Sequence, residues 1–165
     1  MVPSSAHPAT LWGIGGVVIL LTHAVWRLAP LAAEPFVQPG FSAWHWAAYV
    51  GFAVFMGWSE GYRGFQKAFA PRVVARAARL PEHPRWTWLL APAVCMGLIY
   101  ATRKRLVVSW VLLAAIVLLV VGVRRLPWEW RAIVDAGVVV GLGWGTTALI
   151  AFAIKGSSAD PEFPA

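Results

Sequence analysis

Residues 60–85 read EGYRGFQKAFAPRVVARAARLPEHPR and hold the one long basic run of the chain, Arg63, Lys67, Arg72, Arg76, Arg79 and Arg85. Strongly apolar sequence lies on both sides. A cationic loop between apolar stretches is the mark of a polytopic membrane protein, because Lys and Arg in short loops stay on the cytoplasmic side. Within the run, Phe65, Phe69, Val73, Ala77 and Leu80 recur at helical spacing, and Arg72, Arg76 and Arg79 form a second stripe. Pro71 suits a first helical turn, where its missing N–H costs nothing. The pattern predicts an interfacial amphipathic helix over 65–80, apolar face in the lipid and cations at anionic headgroups. Arg63, Lys67, Arg72, Arg76 and Arg79 are therefore the candidate lipid or phosphate contacts.

Composition agrees with a membrane location. Of 165 residues, 59% are hydrophobic and 13% charged, with eleven Trp; a soluble domain carries about 25% charged residues. The net charge of +7 sits beside apolar segments, so acidic lipid is the expected partner and nucleic acid is not. A lone cysteine, Cys95, leaves no internal disulfide and no cysteine-based zinc site, and no metal site is expected. No cleavable signal peptide is read before the first apolar segment.

A helix that crosses a bilayer needs about 20 mostly apolar residues. Five segments qualify on this reading: 11–31, 42–59, 86–102, 106–123 and 133–154, the third short and carrying Pro92. The fold class is thus an all-α helical bundle with about five transmembrane helices in one domain, 1–155, followed by a flexible polar tail, 156–165. Trp12, Trp44, Trp46, Trp58, Trp86, Trp88, Trp128 and Trp130 fall at segment ends, the pattern of an aromatic belt.

With 60–85 inside, the cation-free loop 32–41 is outside, the N-terminus inside and the C-terminus outside, in a bacterial inner-type membrane. Loop 124–131 then falls inside with the basic run. The exception is Arg103–Arg105, forced outside. A re-entrant third segment is the alternative, and it moves 124–131 outside.

Gly137, Gly141 and Gly145 form a doubled GxxxG, and Ala93, Gly97 and Ala101 repeat the spacing, as do Ala43, Ala47 and Gly51. In lipid, small residues let helix backbones approach closely. These faces serve either packing within the bundle or, above all on the fifth helix, contact with another subunit.

Candidate chemistry is sparse. Asp135 lies four residues after Arg131, on one helical face, so the two are expected to pair or to form an ion site, and Glu60 near Arg63 reads the same way. His23 and His45 are candidate ligands for a haem or a chlorophyll-type pigment. No phosphate-binding loop, GxSxG, HExxH or CxxC motif occurs. The sequence thus points to a non-catalytic accessory or structural membrane subunit that packs against other transmembrane chains or copies of itself. A small oligomeric channel or transporter, and a haem- or pigment-binding protein, are the alternatives.

Overall fold

The computed structural model of the chain describes residues 7–155; the tail expected over 156–165 lies outside them. Among the described residues every regular element is helical. The first helix, α1, spans Pro8–Ala32. Its start is capped by His7, whose Nδ1 accepts from the Ala9 N–H at 3.2 Å, and Pro8 fills a position that needs no N–H.

The second helix is longer than any one apolar segment. It starts as α2, Ala43–Met56, behind a reciprocal cap between Ser42 and His45. It widens into a π-helical segment, Gly57–Phe69, and ends as α3, Ala70–Arg79, with Pro71 in the first turn. Gly57 and Gly61 lie buried in the wide segment, where the absence of side chains lets its backbone lie close to a neighbour. A short helix α4, Ala91–Cys95, follows two tight turns. The chain then continues as α5, Arg103–Val123, and α6, Trp128–Ile154.

Three helical stretches are long and apolar enough to cross a membrane: Pro8–Phe36, Leu106–Val123 and Trp128–Ile154. Two of the five expected spans are not among them. The regular α part of the second, 14 residues, covers only about 21 Å at ~1.5 Å per residue, against a hydrocarbon core of about 30 Å. The third, 86–102, is no spanning helix at all. Pro92 opens the five-residue α4, and Gly97 closes it with a left-handed φ of 75°. There Leu98 N–H donates to Ala93 carbonyl and Gly97 N–H to Val94 carbonyl, both at 3.0 Å, the bonding of a Schellman stop.

The helix directions follow from who meets whom. Thr10 Oγ1 donates to the Ala77 carbonyl at 3.0 Å, and the Tyr49 hydroxyl to the Ala32 carbonyl at 2.8 Å. So α1 runs antiparallel to the long second helix. His45 rings against Trp130 at 5.6 Å, Phe52 meets Gly137, Glu60 meets Gly141 and Phe65 meets Gly145. Both numbers rise together, so α2 and α6 run parallel. Parallel neighbours require a return leg, and α5 supplies it. Among the described residues no helix packs along α5, and most of its apolar side chains are exposed, as at Val108, Trp110 and Leu118.

The core sits at the end of the bundle where α1 begins. Val17, Ala70, Val73, Ala77, Leu80, Ala91, Cys95 and Leu149 pack there without solvent contact. The apolar stripe of the basic run is thus buried on α1, α4 and α6. This corrects its expected placement against lipid: a helix with Val73, Ala77 and Leu80 on one face is equally satisfied by a protein surface.

Candidate functional site

The opposite end of the bundle holds the main cluster of charge inside it. Arg131, in the first turn of α6, donates through Nη2 to both carboxylate oxygens of Glu34, at 2.8 and 3.0 Å. Glu34 stands in a 3-10 turn directly after α1. The pair is partly shielded, with side-chain exposures of 28% for Arg131 and 19% for Glu34. One turn further along α6, Asp135 is 5% exposed. Its Oδ2 has no hydrogen-bond partner, and neither does the buried Nε of Arg131. The expected Arg131–Asp135 pair is therefore replaced by Arg131–Glu34, because the guanidinium reaches out of the helix to the turn beside it.

Aromatic rings wall this end. Phe41 lies 5.1 Å from Trp46 and 5.8 Å from Trp128, and Phe36 lies 5.1 Å from Trp46. The Phe41–Trp128 contact holds the 33–42 connection against the start of α6. The arrangement is a clasp: it joins the turn after α1 to the first two turns of α6.

The clasp also corrects the expected layout of the loops. Loop 124–131 is expected on the face that carries 60–85, yet Arg131 bonds to Glu34 in the cation-free connection. α6 then runs toward α3, where Gly145 meets Phe65. This is the layout that goes with a third segment which enters and returns.

Glycines make the seams. A Cβ on Gly137 would lie 2.5 and 2.6 Å from two Phe52 ring atoms and 2.9 Å from Met56 Cγ; one on Gly141 would be 3.3 Å from Glu60 Cβ; Gly145 is covered by the Phe65 ring. The long helix reciprocates: a Cβ on Gly57 would be 3.1 Å from Val140 and one on Gly61 2.8 Å from Trp144. The doubled GxxxG face is occupied within the chain, so it does not stand open to another subunit. Gly97 serves a different purpose from the expected stripe with Ala93 and Ala101. These residues share no helix, and the Arg76 guanidinium fills the space where a Gly97 side chain would stand.

The remaining candidates are dispersed. Arg63 lies over the Trp58 ring at 5.2 Å and Lys67 over the Tyr62 ring at 4.6 Å, both exposed. Arg76 Nη1 donates to the Cys95 carbonyl at 3.2 Å, and Arg72 Nε to the Ala68 carbonyl one turn back. Arg79 is exposed. Glu60 has an exposed side chain whose Cβ covers Gly141. His45 Nδ1 lies 3.0 Å from Ser42 Oγ, as part of the α2 cap. His23 is on the exposed side of α1, nine residues before the Ala32 carbonyl that marks the level of Tyr49. That is about 13 Å of helix, so the two imidazoles sit at different depths and are not brought together around one metal.

Glu34, not among the residues expected at a site, is the partner of Arg131. Its signal was present: it is the sole charge in an otherwise neutral, proline-flanked connection. Among the described residues no group of three or more His, Cys, Asp or Glu is placed to hold a metal ion. Comparison of the chain with protein-family models, with curated proteins and with solved structures finds no match.

Proposed function

We propose that this chain is a non-catalytic integral membrane subunit that assembles with other transmembrane chains or with copies of itself. The observation that carries this reading is α5. The bundle uses its small-residue seams internally, while the most apolar helix stands with no neighbour along it. Helix association in lipid gains from van der Waals contact rather than from water exclusion, and α5 offers a full unpaired length of it. A photo-crosslinking residue at Leu118, 72% exposed, is expected to capture a defined transmembrane chain in native membranes. The same probe at the buried Ala136 is expected to capture none. Gentle purification should give one stoichiometric assembly; a lone monomer with no Leu118 crosslink overturns the reading.

In this proposal the chain crosses four times, through α1, the long second helix, α5 and α6, in a bacterial inner-type membrane. The 86–102 region enters and returns on the cytoplasmic side. Residues 60–85 and 103–105 then share the inside face, as the distribution of cations favours, and α6 ends on that face too. Cytoplasmic placement of both chain ends replaces the opposite placement expected from five crossings. Lys104→Cys is expected to react with an impermeant maleimide only in inside-out vesicles, and Arg124→Cys only in right-side-out ones. Reaction of both from one side contradicts four crossings.

A further inference from the structure

A groove of about 520 Å³ runs along the outer side of α6 from Val140 to Lys155, with Gln66 of the wide segment on its other wall. Gly143, Ala148, Ala151 and Phe152 give it an apolar lining. Two polar contacts close parts of its walls: Trp144 Nε1 donates to Gln66 Oε1 at 2.7 Å, and the Thr147 hydroxyl to the Gly143 carbonyl at 2.9 Å. What remains for an occupant is mostly hydrocarbon surface, with the Gln66 amide on one wall and Lys155 at one end. The fifteen-residue separation of Val140 and Lys155 corresponds to about 22 Å of helix. One leaflet of a ~30 Å hydrocarbon core is about 15 Å deep, so an acyl chain fits at full length.

We propose that this groove binds one anionic phospholipid, with an acyl chain laid along α6 and its phosphate at Lys155. Charge complementarity selects the occupant. Lys155 lies toward the end of the bundle that carries the basic helix α3, whose charged residues are Arg72, Arg76 and Arg79. Shape argues against a second transmembrane helix. Trp144 and Phe152 project from this face, 48% and 37% exposed, and hold a helix backbone at a distance that a single hydrocarbon chain does not need. The inference rests on α6 lying in the membrane and is independent of the assembly proposed above.

The test uses the full chain purified from native membranes, with bound lipid read by native mass spectrometry and extraction. The wild type is expected to retain one phospholipid, enriched in phosphatidylglycerol-type headgroups over zwitterionic ones, and to keep it against added inorganic phosphate. A Cβ on Gly143 meets nothing within 4 Å, so Gly143→Phe fills the groove without disturbing the seam and is expected to abolish retention. Lys155→Gln is expected to keep a lipid while reducing the anionic preference about fivefold, the worth of one cation at an anionic surface. If the melting temperature of Gly143→Phe falls, Ala151→Trp, which blocks the groove from an exposed position, reads the same outcome. Retention unchanged in both blocking variants, no lipid on the wild type, displacement by inorganic phosphate, or loss of headgroup preference in none of the variants each overturns the proposal.

Discussion

Gly137→Leu is expected to destabilise the bundle by about 3 kcal/mol, the upper part of the range for forcing bulk into a packed interior. Its Cβ alone would enter the Phe52 ring edge and the Met56 side chain together. Neither can step aside easily, because both belong to the helix that α6 follows for its whole length. Gly51→Leu is the control. It is helical and exposed, and nothing lies within 4 Å of its Cβ position, so the higher helix propensity of leucine makes it neutral or slightly stabilising. Reversible unfolding in mixed micelles separates the two. Equal midpoints for both variants would mean that the α2–α6 seam is not closely packed.

Arg131→Leu is expected to cost about 2 kcal/mol, and Asp135→Asn to cost nothing or to stabilise by up to about 1 kcal/mol. Removing one partner of a buried ion pair typically costs ~3–5 kcal/mol, because the other charge is left desolvated. The Arg131–Glu34 pair keeps 28% and 19% side-chain exposure, and solvent screening lowers the figure. Losing Arg131 also leaves Glu34 and Asp135 as neighbouring carboxylates with no cation between them. Asp135→Asn removes a charge whose Oδ2 receives no hydrogen bond, so less desolvated charge remains. The double variant should lose less than Arg131→Leu alone, since the stranded repulsion is relieved. A loss for Asp135→Asn as large as for Arg131→Leu would show that Arg131 serves Asp135 rather than Glu34.

The sequence was most legible where one kind of information suffices. Uninterrupted apolar length marks α5 and α6, and the four-residue glycine spacing marks a close backbone approach on α6. What spacing lacks is an address. Gly137, Gly141 and Gly145 say that something comes near, but Phe52, Met56 and Phe65 carry no complementary mark. The stripe from Phe65 to Leu80 shows which face is apolar, yet lipid and protein satisfy that face equally, so its burial under α1 and α4 was not readable. Hydropathy over 86–102 passes as a span by composition, while Pro92 and the left-handed Gly97 break the helix. That single break reverses the direction of every later element. It also hides Glu34 as the partner of Arg131, because five crossings put the two loops on opposite faces.

The Glu34–Arg131 bond joins residues 97 positions apart, and that separation is also an interval of time. At about 5–20 residues per second, a ribosome needs roughly 5 to 20 seconds to make the intervening chain. For roughly the second half of that interval, after residue 79, α1 and the long second helix are present without α6. Glu34 lacks its cation, and the Gly57–Gly61 flank lies bare. The clasp closes only after the start of α6 has emerged. A chain cut before Trp128 carries an unpaired carboxylate at Glu34 and an open seam along Gly57 and Gly61.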